Sequence, residues 1–140
     1  MKKLILFSFI FGVFACKSIP KEQEIIVGSG GGFANLWQSY TIKPSGEILY
    51  RTNKSDSVKL IQKLTKAQTK KIFKAVQGLH LDSLSQSETG NMNHYLVFSE
   101  GKKFSYKTQW TNPKNVNDSI KMVYQSILEK IKKYKSGLKI

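Results

Sequence analysis

The chain predicts an α+β protein, an antiparallel β-sheet built from hairpins with two α-helices packed on one face. Three observations point there. Lys43-Pro44-Ser45-Gly46-Glu47 lies between two strand-forming runs, with proline and glycine placed as a three-residue hairpin loop requires. Two segments, Thr65 to Gln77 and Asn117 onward, carry apolar residues at helical spacing behind capping residues. A second pair of strand-like runs, joined at Glu100-Gly101, stands between those helices. Strands, helix, hairpin, helix is the order of a sheet covered on one side.

The chain opens on Met1-Lys2-Lys3, an almost wholly apolar run from Leu4 to Ala15, and Cys16. Two lysines, a short apolar run and a small residue before a cleavage point are the parts of an export signal. A retained membrane anchor would need about 20 apolar residues, more than this run supplies. Val13-Phe14-Ala15-Cys16 resembles the lipobox of bacterial lipoproteins, although Phe14 is bulkier than usual there, and Cys16 is the only cysteine. The resemblance implies that residues 1–15 are a lipoprotein signal peptide and that Cys16 carries the lipid, a diacylglycerol on the thiol and an acyl group of the palmitate type on the new amino group. Each buried methylene contributes about 0.8 kcal/mol, so two or three chains suffice as a membrane anchor. Residues 16–23 would then be the lipidated cysteine and a polar tether, residues 24–140 a single domain. The expected location is the cell envelope, on the outer membrane facing the periplasm or the cell surface.

Glu24 to Val27 is a β-branched run that reads as a first strand ending in Gly28-Ser29-Gly30-Gly31-Gly32. The glycines do not make a phosphate loop: Phe33 stands where a third glycine would be needed, and no Gly-Lys-Ser/Thr follows. They read as a bend or bulge that lets backbones approach closely. Phe33 to Ile42 leads into a second strand. The Pro44-Gly46 loop then sets a register, with Lys43 opposite Glu47, Ile42 opposite Ile48, Thr41 opposite Leu49 and Tyr40 opposite Tyr50. That puts Tyr40, Ile42, Ile48 and Tyr50 on the core face. Arg51 to Ser57 reads as a polar connection and Val58 to Leu64 as a further strand.

Thr65 and Gln68 form a capping-box pattern for a helix through Gln77, and Gly78 ends it. Its apolar stripe is Leu64, Ile72, Ala75, Val76 and Leu79. Residues 82–93 are polar and read as the longest loop. In the second hairpin a two-residue turn at Glu100-Gly101 pairs Val97 with Phe104 and Tyr95 with Tyr106 on the core side. Leu96, Phe98, Lys103 and Lys107 then share the other. Asn117 or Asp118 caps the last helix, whose stripe is Ile120, Val123, Tyr124, Ile127, Ile131 and Tyr134. Lys130, Lys132, Lys133 and Lys135 lie off that stripe.

The Gly28 to Phe33 run, the Tyr40-Thr41-Ile42 strand with its Pro-Gly turn, the helix and the late hairpin together resemble small bacterial lipoprotein domains, themselves largely uncharacterised. The resemblance implies an envelope location and no activity.

The formal net charge is +14, and of 23 basic residues only Arg51 is an arginine. Guanidinium forks are what bidentate reading of bases and phosphates employs, so nucleic acid is not an expected partner. The lysines suit diffuse attraction of Lys130, Lys132, Lys133 and Lys135 to anionic lipid headgroups, or a merely solvated face.

Neither histidine belongs to a metal-binding or catalytic motif, and no nucleophile elbow is present. No cofactor or metal is expected. His80 reads as a partly buried structural residue. Asp82, Glu88, Asn91 and His94 form a candidate polar or cation site in and beside the long loop. Gly30, Gly31, Phe33, Trp37 and Trp110 form a candidate ligand surface. The first functional expectation is a non-catalytic binding or accessory module, with an unidentified envelope protein or ligand as partner. The alternative is an inhibitor or interaction protein presenting loop 82–93. A hydrolase-type enzyme ranks third, because it would need Asp82, Glu88 and His94 to converge.

Overall fold

The computed structural model describes residues 18–102 and 104–137, with side chains as far as 133. The proposed signal peptide, Cys16, Lys103 and the side chains of Tyr134 and Lys135 therefore lie outside the described residues. One antiparallel sheet contains β1 (Gln23–Gly31), β2 (Leu36–Ile42), β3 (Glu47–Thr52), β4 (Ser55–Lys63), β5 (Met92–Glu100) and β6 (Ser105–Trp110), in the order β4-β3-β2-β1-β5-β6. Helices α1 (Lys66–Gln77) and α2 (Asp118–Gly137) pack on one face. Ile25, Val27, Ile42, Ile48 and Leu96 from the sheet meet Phe73 and Val76 from α1, and Ile120, Ile127 and Ile131 from α2, in a single buried cluster. The expected α+β architecture is the observed one. Among the described residues no helix is long and apolar enough to cross a membrane.

The first hairpin loop behaves as its sequence requires. Gly46 adopts φ +90°, Lys43 and Glu47 close the loop through a 2.9 Å backbone hydrogen bond, and the predicted register from Tyr40–Tyr50 to Ile42–Ile48 is observed. Thr65 caps α1 with both bonds of the capping box in place. The stripe of α1 differs in one position: Ala75 is exposed and Phe73 is buried. The positive φ beyond the helix falls on His80 (φ 51°), while Gly78 stays helical, so His80 is an exposed turn residue between buried Leu79 and Leu81 rather than a partly buried one.

Four other readings are corrected. Gln23, assigned to the tether, opens β1 and is buried, and Ile19 packs against the core. The glycine run does not end the first strand, because β1 continues through Gly31 and is paired on both sides. A central strand is held by two ladders of backbone bonds, which do not depend on side chains. The polar stretch 51–57 is mostly strand, with β3 and β4 joined by a tight turn at Asn53-Lys54. At the sheet edge both faces are wet, so polar residues do not oppose extended structure.

The fourth correction concerns the second hairpin. Its loop is longer than two residues: Glu100 donates to the Phe104 carbonyl at 2.8 Å, and Ser99 pairs with Ser105. Val97 therefore lies opposite Lys107 rather than Phe104, a slip of three residues. An odd slip moves every side chain of β6 to the other face. Leu96 and Phe98 are the core residues of β5, with Tyr106, Thr108 and Trp110 beside them, and Phe104 is exposed.

The long loop is stitched to β6. Gln109 N–H donates to the Gln86 carbonyl, Glu88 N–H to the Gln109 carbonyl, and the Ser85 hydroxyl to the Lys107 carbonyl. It thereby covers an otherwise open sheet edge.

Candidate functional site

The helices leave one face of the sheet open, and alternation from buried Ile25 and Val27 assigns Gly28 and Gly30 of β1 to it. Register places Trp37 opposite Gly30 and Tyr95 opposite Gly28. The glycines make room for these rings and for the neighbouring backbone of β2. A Cβ on Gly30 would come within 2.4 Å of the Trp37 indole, and one on Gly28 within 2.2 Å of the Tyr95 phenol. Two aromatic rings, with centroids 6.1 Å apart, thus lie down on the strand where other residues would lift them away.

Neighbouring polar groups hold the rings in place. The Trp37 Nε1–H donates to Asn35 Oδ1 at 2.8 Å, and the Tyr95 hydroxyl donates to the Gln38 carbonyl. Asn53 receives the Trp37 N–H at 2.9 Å and donates to the Asn35 carbonyl at 2.7 Å, fastening the β1–β2 turn to the β3–β4 turn. Lys107 stands 5.5 Å over the Tyr95 ring. Burial pushes the Tyr95 phenol above its ordinary pKa, so it stays protonated.

These rings border a groove of about 380 Å³, lined also by Ser39, Arg51, Asn53 and Asp56. Small-molecule sites occupy about 300–1,000 Å³. Arg51, the only arginine of the chain, makes no ion pair or side-chain hydrogen bond among the described residues, and neither does Asp56. The groove therefore offers a planar cationic donor, a carboxylate acceptor, the Ser39 hydroxyl, the Trp37 face and the Tyr95 ring with Lys107 over it.

Of the expected ligand surface, Trp37 lines this groove and Gly30 lies beneath its indole. Gly31 (φ +115°) enters the adjoining turn, and Phe33 stands fully exposed at its tip. Trp110 does not belong there: it is buried on the opposite face, stacked on His94 at 5.9 Å and edge-on to Tyr124 at 5.0 Å. Tyr95, Ser39 and Arg51 went unrecognised in the sequence, because only the β1–β5 and β2–β3 pairings bring them to Trp37.

The candidate polar or cation site does not assemble. Asp82 lies beside Phe98 and Glu100, at the far end of β5 from His94. The Glu88 carboxylate accepts from Thr111 N–H at 3.1 Å and Asn115 Nδ2–H at 2.9 Å, which hold its pKa below the ordinary carboxylate value and fasten the loop before α2. Asn91 contributes its backbone carbonyl to Gly32 N–H. His94 faces Trp110 and Tyr124. Among the described residues no three His, Cys, Asp or Glu side chains are placed to hold a metal ion.

No family model matches the chain, and no curated protein matches it.

Proposed function

We propose that this protein is a lipid-anchored, non-catalytic binding module of the cell envelope, and that it holds a polyhydroxylated ring bearing an anionic group, such as a sugar acid, in the Trp37–Tyr95 groove. The observation that carries the reading is the pair of rings laid over Gly30 and Gly28 beside a guanidinium that has no ion-pair partner among the described residues. Aromatic faces take the apolar side of such a ring, and an arginine fork takes a carboxylate in two parallel hydrogen bonds. Asp56 and Ser39 supply partners for hydroxyl groups. An anionic ring without hydroxyls would leave Asp56 facing like charge.

The anchor orients the groove. Gly30 is seven residues along β1 from Gln23, which at about 3.3 Å per residue puts Trp37 roughly 23 Å from the end of β1 at which the chain enters the sheet. A lipid on Cys16 would thus leave the groove turned away from the bilayer when the domain stands upright. Lys132 lies beside Ser29 and Gln38, toward that same distant end. Attraction of the α2 lysines to anionic headgroups would therefore tip the domain onto its side.

Two measurements test the reading. The full chain should incorporate labelled palmitate and lose it in Cys16→Ser; unchanged labelling would remove the anchor. Oligogalacturonate should quench tryptophan fluorescence more strongly than a neutral oligosaccharide of equal length. Arg51→Gln should weaken it about tenfold or more, with Arg51→Lys intermediate because a point charge lacks the fork. Equal response to the neutral sugar, or no effect of Arg51→Gln, would overturn the ligand class.

A further inference from the structure

On the helix-covered face, a second cavity of about 370 Å³ opens between α2 and the sheet. Its walls are Gly28, Tyr40, Leu128 and Ile131, with Ser29, Gln38, His94 and Tyr124 also facing it and Lys132 beside it. The polar groups are already engaged with one another. The Tyr124 hydroxyl donates to the Gly28 carbonyl at 2.9 Å and lies 3.3 Å from His94 Nδ1, and Gln38 Nε2 reaches Ser29 Oγ at 3.4 Å. A hydroxyl has one proton, which Tyr124 spends on Gly28, so His94 Nδ1–H must be the donor to the tyrosine oxygen. Burial holds the imidazole below its ordinary pKa and the phenol above its own, and both are neutral at pH 7. What the cavity offers a ligand is then mainly an apolar wall, together with one exposed ammonium group on a long apolar stem.

We propose that this cavity is a second binding site, separate from the Trp37–Tyr95 groove, and that it takes a single acyl chain with an anionic head. The chain lies against Tyr40, Leu128 and Ile131, and the head meets Lys132. An anionic head gives the exposed Lys132 ammonium an ion-pair partner that an uncharged or cationic head does not, and a polyhydroxylated ligand would compete with the hydrogen bonds that already join Tyr124, Gly28, His94, Gln38 and Ser29.

The test uses the full-length protein in membranes with photoreactive diazirine dodecanoate, and crosslinks are located by mass spectrometry. Labelling is expected in the segments around Tyr40 and Leu128. Leu128→Trp, which fills the cavity from its partly buried wall, should abolish those crosslinks. Lys132→Glu, an exposed change that leaves the core untouched, should reduce them at least fivefold for the carboxylate and not for the matching diazirine alcohol. Arg51→Gln should leave them unchanged, which separates this site from the groove. Absence of crosslinks at both segments, persistence in Leu128→Trp, or equal labelling by a trimethylammonium probe of the same length would overturn the proposal.

Discussion

The Tyr124 hydroxyl donates to the Gly28 carbonyl at 2.9 Å, joining α2 to the central strand across 96 residues of chain. That strand carries the Trp37–Tyr95 groove on one face and the acyl-sized cavity on the other, so this one hydrogen bond lies between both sites. Tyr124→Phe keeps the ring against Trp110 but takes this buried donor from the Gly28 carbonyl and leaves the half-buried His94 Nδ1–H without its acceptor. A loss of about 1–3 kcal/mol is expected from urea unfolding, the penalty for a buried group left unpaired. A change near zero would mean that the bond contributes little to holding α2.

The glycines beneath the rings should not tolerate a methyl group. Gly28→Ala puts a Cβ within 2.2 Å of Tyr95 and 2.6 Å of the Gln38 carbonyl, and overpacking of this kind costs about 1–3 kcal/mol. Combined with Tyr95→Ala the penalties should be less than additive, because removing the ring relieves its part of the clash and leaves only that with the Gln38 carbonyl. Thermal melts of the two single variants and the double variant decide it, and strict additivity would show that the ring is not what demands glycine.

Stability should fall on mild acidification through His94. Burial holds its folded pKa below 6.5, so in the window beneath pH 6.5 the unfolded chain binds a proton that the folded chain does not. The contribution is fully present above that window and is lost as pH falls toward the depressed folded value. Glu88 and Asp118, whose carboxyls are also held low, add their own losses only below about pH 4.5. His94→Gln should flatten the melting temperature between pH 7 and pH 5 and leave the acid limb in place.

Thr65→Ala removes the capping-box bond from Gln68 N–H to the Thr65 hydroxyl and leaves only the backbone N–H of residue 65 donating to Gln68 Oε1. A cost of about 1 kcal/mol is expected, with hydrogen exchange accelerated in the first turn of α1 rather than across the sheet. Uniform acceleration would indicate global destabilisation instead of a local cap.

The α2 lysines can be tested on the anchored protein. In anionic nanodiscs α2 should gain hydrogen-exchange protection that neutral nanodiscs do not give. Raising the salt should remove it, since the Debye length is about 8 Å at physiological ionic strength. Changing Lys130, Lys132, Lys133 and Lys135 to glutamine should remove it too. Protection insensitive to both would assign the lysines to a solvated face.

What the sequence by itself determined is whatever acts over a few residues. Pro44 and Gly46 dictate a loop by their dihedrals, and the loop dictates the Tyr40–Tyr50 register; Thr65 and Gln68 dictate a helix start. Trp37 and Gly30 were legible as site candidates for the same local reason, an aromatic beside a run without side chains. The second hairpin escaped because Gly101 fits a two-residue turn as well as the longer one, and its choice is made where Leu96 and Phe98 enter the core. The remainder of both sites came from tertiary structure alone. Tyr95 reaches Gly28, and His94 reaches Tyr124, only because β1 is inserted between β2 and β5 and α2 crosses above it. Such pairings join residues tens of positions apart, and their energy lies in the packing of a shared core, which no local spacing records.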